Sequence, residues 1–223
     1  CALGTPLLEV SNLPDYVTKP HVPLNEWLEP QRHVADKVLT KYIRFLPNIQ
    51  EKAALVNPDC SIENSCLGLH IRQSDKAAGR RQIAAEEFLP YVEAFVSAGG
   101  KWVYLATDSG KVMEEIRREW PPHLKKIIRS MGDNVVRSND DKAVFDIASH
   151  HRTNTEILIE IVALSKCQFM IHGLSAVTET SIWINVDLHY TSVNLEDPDY
   201  LKPKEFGNLV HEVLRGGNAT QII

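Results

Sequence analysis

The sequence predicts an α/β fold, a mostly parallel sheet with helices on both faces. Short apolar runs of strand character, Leu67 to Ile71, Trp102 to Ala106 and Gln168 to His172, alternate with longer stretches of helical periodicity. A parallel pair needs a crossover of a dozen or more residues, and the helical stretches between these runs supply it. Each run also ends abruptly in polar residues, which marks where the chain leaves the sheet.

Residues 1 to 27 carry Pro6, Pro14, Pro20 and Pro23 without sustained periodicity and read as an extended segment. Pro30 suits a first helical position, and Val34, Val38 and Tyr42 with Phe45 and Leu46 give an apolar stripe running up to Pro47. A second short helix is expected from Asn48 to Leu55. After the Asn57-Pro-Asp-Cys60 turn the alternation becomes regular, so the chain divides into an N-terminal segment with helices, 1–57, and an α/β domain, 58–223.

Strand Leu67 to Ile71 opens that domain. A helix from Ala84 to Ser97 follows, with Phe88, Tyr91, Val92 and Phe95 on one face and Gly99-Gly100 as its stop. Strand Trp102 to Ala106 ends in Thr107-Asp108, and a helix from Gly110 to Trp120 halts before Pro121-Pro122. A weaker strand at Lys126 to Arg129 leads into a polar loop through Ser138-Asn-Asp-Asp141. Helix Thr155 to Ser165, strand Gln168 to His172 and helix Ala176 to Asn185 continue the series. The acidic stretch Glu196 to Asp199 reads as a solvated loop. Phe206, Leu209, Val210, Val213 and Leu214 predict a closing amphipathic helix on the sheet.

A chain of 223 residues can bury one substantial core, and its 43% apolar and 24% charged composition is that of a soluble globular protein. With 29 acidic against 24 basic residues the net charge is -5, which argues against a broad nucleic-acid or anionic-membrane surface. Any anion site must be local. No run of about 18 apolar residues occurs, and Cys-Ala-Leu-Gly-Thr-Pro at the start is no signal peptide. Lacking an initiator Met, the chain reads as trimmed or partial, so membrane attachment is expected only through a segment missing from it. The spacing of the four cysteines matches no zinc pattern. Cys60 and Cys66 could close a small loop in an oxidising lumen, or Cys66 could be a buried small hydrophobe at a strand start. Asn218-Ala-Thr220 is a glycosylation sequon.

The stretch Leu67-Gly-Leu-His-Ile-Arg-Gln-Ser-Asp-Lys76 delivers His70, Arg72, Asp75 and Lys76 to the carboxyl end of a strand. Ligands of open α/β sheets bind beyond such ends. Thr107-Asp108 and His172-Gly-Leu-Ser175 end two further strands, so in a parallel sheet all three sets open on one edge. A nucleoside diphosphate would use each of them. Arg72 can fork onto phosphate oxygens, Gly173 admits close backbone approach, and Ser175 precedes a helix whose first amides point at an anion. Asp108 can accept from ribose hydroxyls, and Glu160 from the paired donors of a guanine edge. Simpler roles compete: an Arg72–Asp75 ion pair, Ser175 and Asp108 as helix caps, Glu160 as a surface charge. No Gly-rich dinucleotide fingerprint, P-loop or Gly-x-Ser-x-Gly elbow is present. His150-His151 reads as an exposed loop pair, not a metal site.

With these residues assembled, the chain resembles the GDP-fucose-dependent fucosyltransferases of the α1,6/O-fucosyltransferase group, whose donor domain carries a His-x-Arg-x-x-Asp loop. Lys101-Trp-Val-Tyr-Leu-Ala-Thr-Asp108 is similar to the family's second block, and Ile159 through His172-Gly-Leu-Ser-Ala176 to its third. With the helical approach from Trp27 to Lys52, the likeness covers roughly residues 27 to 185. It implies a GT-B architecture of two facing Rossmann-like domains, this chain holding the carboxyl-terminal, donor-binding one and 1–57 being a remnant of, or link to, the acceptor domain. It also implies GDP-fucose as donor, a glycan or glycoprotein acceptor, inversion at the anomeric carbon, no metal or other cofactor, and a Golgi or other secretory-pathway lumen. His70 and Arg72 would contact the diphosphate, Asp75 brace their loop, and Asp108 lie near the ribose. Glu160 would read guanine, Gly173 and Ser175 would meet the terminal phosphate, and Arg72 would be the catalytic residue.

The chain departs from that family at Gln73, where a second Arg is common. It departs again at Gly79-Arg80-Arg81, where α1,6 enzymes place a carboxylate, and at Glu160, where members carry Asp. No general base is identifiable, and Arg80 or Arg81 is the candidate for the missing phosphate charge. A domain that binds a nucleotide sugar or glycan without turnover fits the same residues, as does a phosphate-ester hydrolase using His70 and Arg72.

Overall fold

The computed structural model describes residues 23–57, 60–61, 63–74, 81–139, 142–217 and 219. Asp75, Lys76, Gly79, Arg80, the sequon at Asn218 and Thr220, and the proline-bearing residues 1–22 lie outside the described residues.

Among the described residues the sheet has five strands, β1 Cys66–Ile71, β2 Trp102–Thr107, β3 Ile128–Arg129, β4 Phe169–His172 and β5 Ser192–Asn194. Their order is β3-β2-β1-β4-β5 and every neighbouring pair is parallel. The expected mostly parallel sheet is thus wholly parallel here. Because the chain builds outward from β1 first to one side and then to the other, the order reverses between β1 and β4. The crevice beyond such a reversal is where open α/β sheets bind ligands. The register aligns the strand ends: His70 lies opposite Ala106 and His172, and His172 opposite Asn194.

Helices cover both faces, as expected: α1 Leu24–Tyr42, α2 Pro47–Val56, α3 Ala85–Ser97, α4 Gly110–Glu119, α5 Pro122–Lys125, α6 His150–Ser165, α7 Ala176–Ile184, α8 Leu188–Thr191 and α9 Pro203–Leu214. Side chains alternate across a strand, and the core divides accordingly. Leu67, Leu69, Ile71, Leu105 and Phe169 pack against Phe88 and Phe95 of α3, Ile116 of α4 and Phe206 of α9. Cys66, Tyr104, Ala106 and Met170 pack against Ile49 and Ala53 of α2, Ala163 and Leu164 of α6 and Ile182 of α7. Gly68 lies on this second side. A Cβ there would stand 3.0 Å from Leu164 Cδ2 and 3.3 Å from Cys167 Sγ, so only glycine lets α6 press this closely on β1.

Several expectations need correction. Helix α1 begins at Leu24, not Pro30, and Pro30 lies inside it on the exposed side. The stripe Val34, Val38 and Tyr42 faces outward, and with Trp183 of α7 Val34 and Val38 line a groove of about 600 Å³. The buried face carries Leu24 and Arg32 instead. Arg32 is 2% exposed, and its guanidinium donates to both Glu179 oxygens, Asn25 Oδ1 and His189 Nδ1, so a fully partnered cation anchors α1 where apolar periodicity points the other way. Helix α6 starts at His150, five residues early, because Ser149 Oγ accepts from Arg152 N as its cap. His150 and His151 are therefore exposed helix residues, not loop residues. Strand β5 has no counterpart in the sequence reading, since three residues are too few for a periodic signal. The acidic stretch after it is not simply solvated, for Asp197 is buried and Glu196 accepts from Leu174 N.

Candidate functional site

β1 carries His70 to the carboxyl edge on the same face as Gly68, and its register partner there is His172 of β4. Both imidazoles are buried, at 5% and 0% exposure. His172 Nδ1 lies 3.0 Å from Gly173 O, which can only accept, so Nδ1 holds the proton. Burial pulls the His172 pKa down to about 4, so the ring is neutral near pH 7.

Arg72 leaves the sheet next, with about a third of its side chain exposed (35%) and Nε 3.9 Å from Asp108 Oδ2. Asp108 ends β2. Its Oδ1 accepts from Gln73 N at 3.0 Å and its Oδ2 from Ser74 Oγ at 2.5 Å. Gln73 ties the same loop down further, donating from Nε2 to Ile83 O, while its own carbonyl accepts from Gln82 Nε2. Asp75, expected to brace this loop, lies outside the described residues; among the described ones Asp108 and Gln73 brace it. The chain leaves β2 by a turn in which Thr107 Oγ1 donates to Ile71 O at 2.7 Å, locking the two strand ends together.

Across the reversal, Ser175 caps α7 by accepting from Val177 N at 3.2 Å. Thr178 Oγ1 reaches back toward the carbonyls of Gly173, at 3.3 Å, and Ser175, at 2.9 Å. Gly173 has no positive φ, so its backbone is one that other residues can adopt. The Glu196 carboxylate bonds to Leu174 N, one residue before the cap. Arg81 stands nearby, pairing with Glu87 and donating to Leu195 O at 3.2 Å. With Leu174, Glu196, Asp197 and Tyr200 it lines a groove of about 440 Å³ at this edge.

Glu160 is on α6, 8% exposed rather than a surface charge. Burial pushes its pKa up to about 8, against the pull of Arg137 and with the added repulsion of Asp108 and Glu156. Glu160 thus feels the Asp108 charge from α6, which packs against β2. Glu160 Oε1, Tyr104 Oη, Thr153 Oγ1 and two guanidinium nitrogens of Arg137 are buried without hydrogen-bond partners among the described residues. Such groups are costly to leave unpaired. The Tyr104 hydroxyl is raised by burial and by the Glu160 charge.

The fold therefore brings His70, Arg72 and Asp108 together with the Gly173 to Ser175 turn at one edge, with Glu160 coupled to Asp108. The sequence reading missed Arg137, which sits in a polar loop with no periodic signal, and Glu196, whose bond to Leu174 depends on β5. At the opposite edge the structure joins Cys60 to Cys66, one of the two readings the sequence left open, and buried Cys167, which the sequence does not single out, lies against them. No protein-family model matches this chain, and no curated protein matches it.

Proposed function

We propose that this chain is the donor-binding domain of a GDP-fucose-dependent fucosyltransferase, the carboxyl-terminal half of a GT-B enzyme of the secretory-pathway lumen. One observation carries the reading. The His70–Arg72 loop and the Gly173–Ser175 turn, which the family resemblance pairs around a diphosphate, leave from β1 and β4, the two strands between which the sheet order reverses. Glu160 adds support, since a buried carboxyl oxygen lacking a partner among the described residues suits a ligand edge that donates. The Cys60–Cys66 disulfide suits an oxidising compartment.

In this reading the guanine edge meets Glu160, Asp108 holds the Arg72 loop beside the ribose, and the diphosphate lies between His70, Arg72 and the start of α7. As the bond from the anomeric carbon to the diphosphate breaks, negative charge grows on the departing GDP. Arg72 and the positive end of the α7 dipole stabilise it without a metal. An acceptor hydroxyl of a glycan or glycoprotein attacks from the opposite face and inverts the centre. Residues 1–57 link this domain to the acceptor-binding half.

Titration calorimetry with GDP tests the donor site. The native chain is expected to bind, and Arg72→Ala to bind about 10- to 100-fold more weakly, the worth of a charge-assisted hydrogen bond of about 1.5–3 kcal/mol. Absent binding, or equal binding by the variant, removes the proposal.

A second reading, nucleotide-sugar binding without turnover, is favoured by Arg81, whose guanidinium is held by Glu87 and Leu195 O where the family has a carboxylate nearby. Release of GDP from GDP-fucose across a panel of glycan acceptors separates the two, since only the transferase releases it.

A further inference from the structure

The sulfur atoms of Cys60, Cys66 and Cys167 all lie within 4.8 Å of one another. They come from three separated places. Cys60 follows α2, Cys66 is the first residue of β1, and Cys167 stands between α6 and β4. Parallel pairing of β1 with β4 brings the last two side by side, with Gln168 N bonded to Cys66 O. Cys60 and Cys66, with Cα atoms 5.4 Å apart, form a disulfide, and Cys167 holds a free thiol. The group lies at the amino-terminal edge of the sheet, about 17 Å along β1 from the candidate anion site.

We propose that the reduced chain holds a zinc-class divalent cation at this point, with Cys60, Cys66 and Cys167 as thiolate ligands and Asn57 at the fourth position. A tetrahedral centre with sulfur about 2.3 Å from the metal sets its sulfurs about 3.8 Å apart. The observed grouping accommodates that spacing once the disulfide opens and Cys60 turns aside in its loop. Asn57 is buried and already faces the group. Its Oδ1 lies 3.4 Å from Cys60 Sγ, and its amide donates to Ala163 O at 2.9 Å and toward Cys167 Sγ at 3.4 Å.

The electrostatics favour a cation over bare thiolates. Ala163 O is 3.8 Å from Cys167 Sγ and Lys166 O is 3.9 Å from Cys66 Sγ, so the negative end of α6 points at the group. Three soft sulfur donors select zinc or copper(I) over magnesium or calcium.

The chemistry balances with a dithiol reductant. Its two thiols give two electrons and two protons to the disulfide, yielding two cysteine thiols and the oxidised cyclic reductant. Metal binding then displaces three protons, one from each cysteine, and leaves the centre with a net charge of -1. Disulfide and metal are alternative staples. Each ties the loop after α2 to β1, the metal in the reduced chain and the disulfide in the oxidising compartment of the proposed function.

The test is titration of the dithiol-reduced chain with cobalt(II) and then zinc, without air. One equivalent of cobalt is expected to bind with thiolate-to-metal charge-transfer absorption, to be displaced by zinc, and to shield three of the four cysteines from alkylation. Zinc should also raise the melting temperature of the reduced chain and leave that of the oxidised chain unchanged. Cys167→Ser should weaken binding by at least about 100-fold, more than loss of an outer-sphere partner costs. If that variant does not fold by circular dichroism, Cys60→Ser, in the loop, replaces it with the same expectation. No uptake by the reduced chain, equal uptake by the oxidised chain, shielding of only two cysteines, or undiminished binding by the folded variant would each overturn the site.

Discussion

Asp108 at the end of β2 accepts from the Gln73 amide and the Ser74 hydroxyl, so the carboxylate of one strand fixes the loop that carries Arg72 away from its neighbour. Ser74 is 3% exposed, and water cannot readily replace a lost acceptor there. Asp108→Ala should therefore cost about 1–3 kcal/mol of stability, as expected when buried donors lose their partner. Asp108→Asn keeps one carbonyl oxygen for the Gln73 amide and should lose less. Urea denaturation at constant m-value reads the difference. If Ala and Asn variants both match the native chain, the carboxylate does not organise the loop.

The pH dependence of stability should peak near pH 6.5, because buried groups act in opposite directions on either side. His172 and His189 are both pulled down to about 4, each first by burial, and His189 also by Arg32, whose guanidinium donates to its Nδ1. Their folded pKa values lie below the unfolded value, so between about pH 6.5 and 4 the unfolded chain binds more protons and stability falls with acidification. Glu160 is pushed up to about 8, above its unfolded value, so the folded chain holds its proton through the window from about pH 4.5 to 8. Its contribution is whole below that window and is lost as pH rises through it. Each group can supply a slope of up to about 1.4 kcal/mol per pH unit. Of these three groups, the two histidines outweigh the glutamate below pH 6.5, and above it only Glu160 still titrates. Glu160→Gln should flatten the alkaline limb and leave the acid limb in place. An unchanged alkaline limb would show that Glu160 is ionised and compensated in the folded chain.

Arg32 holds α1 to α7 and α8 through a bidentate pair with Glu179, at 2.6 and 3.0 Å, and bonds to Asn25 and His189. Removing one member of a buried pair strands the other, so Arg32→Met should cost about 3–5 kcal/mol. The double variant Arg32→Met with Glu179→Leu should cost less than the sum of the singles, because it leaves no uncompensated charge. Arg32→Lys keeps the charge and loses the fork, and should fall between native and Met. Additive losses in the double-variant cycle would mean that the pair is not coupled.

The frame of the fold was legible because it rests on local patterns. Leu67, Leu69 and Ile71 alternate, Phe88, Tyr91, Val92 and Phe95 recur at helical spacing, and polar residues mark the strand ends, so the edge bearing His70, Arg72, Asp108 and Ser175 follows once the strands are parallel. What was not legible depends on partners distant in the chain. Val34, Val38 and Tyr42 have the spacing of a buried stripe, yet Arg32 is buried in their place because Glu179 and His189 meet it 147 and 157 residues away. Cys167 is an ordinary small residue until β4 pairs with β1. Ser149 is a readable cap, and it starts α6 five residues before Thr155. Arg137 gains its place beside Glu160 only from the path of a polar loop.

Glu196 occupies the amide of Leu174, at the amino end of α7, where the proposed terminal phosphate would lie. A carboxylate at a helix start complements the dipole, but it repels a second anion there. Glu196→Gln retains an oxygen to accept from Leu174 N and removes the charge. If the donor reading holds, GDP should bind this variant about fivefold more tightly, a gain of about 1 kcal/mol, and the advantage should shrink as salt screens the repulsion. Calorimetry at two ionic strengths, with a melting curve to establish equal folding, measures it. Unchanged affinity would place the phosphate away from α7, and weaker affinity would make Glu196 an organiser of the site instead of a competitor for it.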